Sequence, residues 1–320
     1  MPLTLDQKSS KKIIFFAITA IVVFFRIFQI NLSSLGDSWL PGVIIASGGI
    51  LGVAFVYLLA RELFNWQIAS IAAFFTGISA WHVAISRETL WASWILNFFV
   101  LALYFLWKGM RGHHRCNFIF SGLFLGLSLY LSSPFYVPLI IVLLAILAYL
   151  HLLKKDFGRE QYLHSRNFLI KGFVWIVVLS LAVFIVLRFW SIFDWSFGQT
   201  KEVVSPYALS LVMVVLLATG LFRSLLKLIR SFKRHGHFSA VQIIILSWFF
   251  LGLFSEEAIF ALPVILILSA EGCWWFFSWL KSWYGVYDKH PHEASLVSSL
   301  AITLFLAGLT LLEFRSYFGF

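Results

Sequence analysis

The side chains with chemistry to offer are Asp37, His82, Arg87, Glu88, Arg188, Glu256 and Glu257, each beside or between long apolar runs. Arginine's planar fork donates two parallel hydrogen bonds and suits phosphate. Arg87 with Arg188 would therefore make a clamp for a lipid-linked phosphate. A carboxylate within reach of an acceptor serves as a general base or holds a divalent cation. Asp37 and Glu88 are the candidates for that catalytic role. His82, Glu256 and Glu257 are candidates for the same outer cleft. The plain alternatives are a polar turn at Ser86-Arg87-Glu88 capped by tryptophans, and a Glu256-Glu257 pair that complements a helix dipole.

The chain is organised around Trp81-His-Val-Ala-Ile-Ser-Arg-Glu-Thr-Leu-Trp-Ala-Ser-Trp94, an outward hairpin between two apolar helices. Of the 320 residues 61% are apolar and 12% charged, with a mean hydropathy of +0.92. A soluble domain carries roughly 25% charge. Apolar segments of about 20 residues cross the hydrocarbon core. The pattern predicts an all-α bundle of about eleven such spans, near 13–32, 39–60, 65–85, 89–107, 117–131, 135–153, 171–190, 205–222, 238–254, 258–280 and 294–312. The first span is too long for a signal-peptide core and lacks a small-residue cleavage site, so it is expected to be retained. The chain reads as a single transmembrane domain, 1–320, without a soluble domain.

Sidedness follows from charge. With the N-terminus cytoplasmic, 19 of the 24 Lys and Arg fall in inside segments, leaving Arg26, Arg87, Arg188, Lys201 and Arg315. Such a bias obeys the positive-inside rule and puts the C-terminus outside. The formal charge of +10 is thus a topology signal and excludes a nucleic-acid partner. The inside stretches 154–170 and 223–237 read as solvated connectors that favour anionic headgroups. Trp39, Trp66, Trp81, Trp91, Trp107, Trp190 and Trp195 mark expected interfaces. Gly48/Gly52 and Gly122/Gly126 have the spacing that lets helices approach closely. His113, His114, His235, His237, His290 and His292 sit in basic connectors without zinc-type spacing. Cys116 and Cys273 form no disulfide framework. Phosphate-binding loops, serine elbows and the H-E-x-x-H pattern are missing from the sequence.

Several stretches together resemble GT-C fold glycosyltransferases, the bacterial relatives of protein O-mannosyltransferases and aminoarabinose transferases. Val56-Tyr-Leu-Leu-Ala-Arg-Glu-Leu-Phe64 is similar to the end of that family's second span. Ile71 through Arg87 resembles its third span and the Ser-Arg that follows. Gly122-Leu-Phe-Leu-Gly-Leu-Ser-Leu-Tyr130, with Pro134 and Pro138, is similar to its Gly-Leu-x-x-Tyr turn. Arg188-Phe-Trp-Ser-Ile-Phe193 resembles the arginine after its seventh span, and Ala261-Leu-Pro263 through Gly272 its late proline helix. The resemblance implies transfer of a sugar from a polyprenyl-phosphate carrier on the outer face, with a divalent cation (Mg or Mn) as cofactor. It implies a catalytic aspartate, commonly Asp-Glu, in a long first outer loop. Here that loop is short, about 31–38, and holds Asp37 alone; Glu256 and Glu257 replace the family's late arginine.

The expectation is therefore an integral protein of a bacterial inner membrane, acting as a polyprenyl-phosphate-dependent glycosyltransferase. Its partners would be membrane lipid, the lipid-linked sugar and, as a further expectation, a membrane protein. The rival is an inactive relative serving as a scaffold, lipid-binding or accessory subunit. A secondary transporter ranks last, because charges within the spans are nearly absent.

Overall fold

The computed structural model of the chain describes residues 18–24, 40–88, 92–131, 136–156, 159–189, 210–235, 239–253, 258–284 and 291–318. Every regular element among them is helical: α1 over 18–24, α2 Leu40–Leu63, α3 Trp66–Ile78, α4 Ala80–Glu88, α5 Ala92–Gly112 and α6 Arg115–Leu131. The order continues with α7 Tyr136–Asp156, α8 Arg159–Phe189, α9 Leu211–His235, α10 Ala240–Leu253, a 3-10 turn Ala258–Ala261, α11 Leu262–Tyr284 and α12 Pro291–Phe318. Four carry apolar windows long enough to cross a membrane, Ala46–Leu63, Ser165–Leu187, Leu211–Lys233 and Leu262–Leu280. Shorter apolar helices, Trp66–Ile78, Arg115–Leu131, Val137–His151 and Ala240–Leu253, fill the bundle between them. Large apolar side chains such as Ile185, Leu304 and Leu311 point outward. In a soluble protein so much exposed apolar surface would be a liability; here it is the surface lipid wets. This is an integral membrane protein.

Two expectations about the elements need correcting. The third span is two helices. Asn65 caps α3 by accepting from Ile68 N at 3.0 Å, but Ser79 adopts φ −55°, ψ 120° and ends the run. Ser79 N still donates to Phe75 O and Ser79 O accepts from Val83 N, each at 2.9 Å, so one residue closes α3 and opens α4. The basic connectors 154–170 and 223–237 are also largely helix, because α8 starts at Arg159 and α9 runs on to His235. Lys, Arg and Leu are good helix formers, and charge alone does not stop a helix.

Helix pairing fixes which ends lie together. Gly122 and Gly126 let α6 touch the backbone of α8: a Cβ on Gly122 would lie 3.0 Å from Ile176 Cα, and one on Gly126 2.8 Å from Ser180 O. With Gly172 against the Phe118 ring, the matches run 118/172, 122/176, 126/180, so the two helices are parallel. Helices α5 and α6 run antiparallel, as Ser121 Oγ donates to Ala102 O at 2.9 Å and Ser128 Oγ to Ile95 O at 3.3 Å. Helices α2 and α5 are parallel, since Asn97 Nδ2 reaches Gly48 O at 2.7 Å and Trp107 Nε1 reaches Glu62 O at 3.1 Å.

These pairings gather one basic end. Arg111 Nη1 lies 3.7 Å from Glu62 Oε2, Lys227 Nζ sits 5.5 Å from the Phe64 ring centroid, and the His113 ring packs 5.2 Å from Phe168. At the centre Phe99 meets Trp248 and Phe260 edge-on, at 5.6 and 5.3 Å. Trp248 Nε1 donates to Phe260 O at 2.7 Å, tying the 3-10 turn to α10.

Candidate functional site

The opposite end carries the residues with chemistry. Position 87 is seven residues beyond Ala80 on α4, about 10 Å along the helix. Position 188 is at the end of α8, past the Gly126/Ser180 contact. Arg87, Glu88 and Arg188 thus share the end of the bundle away from Glu62, Arg111 and Lys227. They ride on different neighbours, α4 among α2, α3, α5 and α12, and α8 on α6 and α7, with the α5–α6 pair linking the two groups. Asp37, Glu256 and Glu257 lie outside the described residues.

The root of α4 holds a buried carboxylate. Glu313 of α12, only 1% exposed, accepts from Ala80 N through Oε2 at 3.1 Å. A carboxylate there satisfies one of the orphan N–H groups of a helix start and faces the positive end of its dipole. Among the described residues its other oxygen, Oε1, has no hydrogen-bond partner, and neither do Ser79 Oγ and Trp81 Nε1 at the start of α4. Buried polar atoms are nearly always paired, so the base of this helix holds unspent hydrogen-bonding capacity directly beneath Ser86-Arg87-Glu88.

His82 is 2% exposed and faces inward. A Cβ on Gly52 would lie 3.1 Å from His82 Nε2 and 2.6 Å from Asn97 Oδ1, so both polar side chains crowd into the space that glycine leaves on α2. The Gly48/Gly52 spacing, expected to let helices approach closely, does bring α5 against α2, with Asn97 bonded to Gly48 O and His82 beside Gly52. Positions 82 and 87 stand about 140° apart around α4 at 3.6 residues per turn. His82 belongs to the sealed core beneath the tip. Trp81 and Trp107, expected at interfaces, are core residues at 1% and 6% exposure. Trp81 goes under because α4 is tucked among α2, α5 and α12, and Trp107 because its indole N–H finds Glu62 O.

A charge within the spans went unrecognised in the sequence. Glu271 of α11 is fully buried. It accepts from Lys227 Nζ and from Ser224 Oγ at 2.8 Å, and Arg223 Nε lies 3.8 Å away. Gly220 and Gly272 bring α9 and α11 into backbone contact beside it. The clue was an acid inside Leu262–Leu280, since an intramembrane carboxylate calls for a partner. This cluster sits toward the basic end, with Lys227 on Phe64. It ties two helices together. Among the described residues no three His, Cys, Asp or Glu side chains converge as a metal site.

No family model matches the sequence, and no curated protein does. Solved structures do. The oligosaccharyltransferase of Archaeoglobus fulgidus, tethered to an acceptor peptide with an NVT sequon, superposes with a TM-score of 0.59 over 97% of this chain and 55% of its own, at 15% identity. Its apo form gives 0.56 over 97% and 56%, at 14% identity. The same archaeal enzyme, AglB, in complex with an inhibitory peptide and a dolichol-phosphate gives 0.51 over 95% and 52%, at 16% identity. This chain has the GT-C fold. It spans about half the length of those enzymes. The shared fold covers almost all of this chain, 97% of it in the first of these superpositions.

Proposed function

We propose that this chain is a GT-C glycosyltransferase-like membrane protein that takes a sugar from a polyprenyl-phosphate carrier at the α4 end of the bundle. The observation that carries the reading is the GT-C superposition over 97% of the chain, on an enzyme class one of whose structures holds a dolichol-phosphate. In this scheme Arg87 and Arg188 hold the carrier phosphate by charge-assisted hydrogen bonds. Glu88 or Asp37 takes the proton of the acceptor as its oxygen or nitrogen attacks the anomeric carbon. The bond between that carbon and the phosphate oxygen breaks, and the phosphate leaves with its electron pair on the two arginines. A divalent cation, if the reaction uses one, belongs with Asp37 and Glu88. The α4 end faces the outer side of a bacterial inner membrane by the charge rule.

The scaffold reading draws on one observation. His82 and Asn97 are sealed at 2% and 1% exposure, so the described part of α4 shows a closed core under the tip. One experiment separates the two. Purified protein in lipid is given a radiolabelled polyprenyl-phosphate sugar, and transfer to added peptide and glycan acceptors is measured beside carrier binding. For a transferase, Arg87→Ala weakens carrier binding roughly tenfold or more. Glu88→Gln or Asp37→Asn lowers transfer by about 10²–10⁴ with binding kept. Binding without transfer, or no carrier binding in the wild type, ends the transferase reading and selects the scaffold.

A further inference from the structure

At the basic end a concavity of 360 Å³ opens between α6 and α8, lined by Arg115, Phe118, Phe168, Lys171, Val174 and Trp175 among others. Three features distinguish it from ordinary lipid-facing helix surface. Gly172 lets the Phe118 ring lie close on the α8 backbone, since a Cβ there would come to 2.8 Å of that ring, and Phe118 lines the concavity. Val174 and Trp175 are 53% and 51% exposed and give an apolar flank along α8. Arg115 and Lys171 put two cations at the lip. Arg166, further toward the N-terminus of α8, has a buried Nε with no hydrogen-bond partner among the described residues. A cationic lip, an aromatic floor and an apolar flank match a molecule with an acidic head and a hydrocarbon tail.

We propose that this groove is a specific site for one anionic phospholipid, its phosphate on Arg115 and Lys171 and an acyl chain along Val174 and Trp175. A basic cluster beside a membrane helix attracts acidic headgroups by roughly fivefold per residue. The concavity adds what charge alone lacks, a place for one tail. Position 188 lies seventeen residues along α8 from Lys171, about 25 Å at 1.5 Å per residue. This site is therefore independent of the carrier site proposed above, and either can fail without the other.

The test uses the full chain in nanodiscs of equal phosphatidylglycerol and phosphatidylcholine, followed by native mass spectrometry of the lipid that stays bound. The wild type is expected to retain one phosphatidylglycerol in preference to phosphatidylcholine. Arg115→Gln with Lys171→Gln is expected to cut that preference by about thirtyfold. Val174→Trp, which fills the groove and leaves the charge alone, is expected to lower retention of both lipids. Lys233→Gln, an exposed cation elsewhere on this end, is expected to change neither. Melting curves confirm that each variant is folded. An equal loss in Lys233→Gln, or full retention in Val174→Trp, would overturn the site in favour of diffuse attraction.

Discussion

Glu313 shows how one side chain sets up the candidate site without being part of its chemistry. Its carboxylate meets Ala80 N at the start of α4, and α4 ends at Arg87 and Glu88. Replacing Glu313 with Gln keeps the shape and an acceptor but removes the charge opposite the helix dipole. A charge at a partly buried helix end contributes up to about 2 kcal/mol. Glu313→Gln is expected to lower unfolding stability by about 1–2 kcal/mol, read by thermal or denaturant unfolding in detergent. If α4 is the working element, it also weakens carrier binding while leaving the lipid groove on α6 and α8 as it was. Nothing near Glu313 in the sequence announces Ala80, 233 residues away. Glu271 is the same case. Its position inside an apolar run was legible, and its partners, 44 and 47 residues off, were not.

At the scale of elements, glycine spacing was the most informative signal. Gly122 and Gly126 do seat α6 on the backbone of α8, as their period on one helix face suggests. In lipid, helices gain little from burying apolar surface, so close backbone packing supplies much of their association. Gly126→Leu must push Ser180 O and Val183 Cβ away from contacts of 2.8 Å. Overpacking of this kind costs about 1–3 kcal/mol. The expected outcome is a lower melting temperature, with α8 the first element to exchange amide hydrogens. At Gly48 and Gly52 the same spacing brings α5 onto α2, with the His82 and Asn97 side chains taking the room at Gly52. Period tells that a helix face is open; it does not tell what enters. The break at Ser79 was hidden for a similar reason. Residues 65–85 are continuously apolar enough for one span, and Ser79 carries none of the glycine or proline punctuation that marks a helix end.

For the whole molecule, helix order and the gathering of Lys and Arg at one end were readable, because they depend on local composition. The pairing of helices was not, because the pairs are distant in the chain. Asn97 bonds Gly48 across 49 residues, and Lys227 bonds Glu271 across 44. That distance has a meaning in time. A ribosome adds roughly 5–20 residues per second, so Arg223 and Lys227 exist for about two to nine seconds before Glu271 is made. Until α11 arrives, Arg223 and Lys227 of α9 lack the buried anion that pairs with them in the finished bundle. Glu271→Ala is expected to shorten the protein's half-life in a pulse-chase experiment, and Glu271→Ala combined with Lys227→Met to restore most of it. The ion cluster between α9 and α11 can therefore close only after α11 has been made, which places it among the later contacts of the bundle.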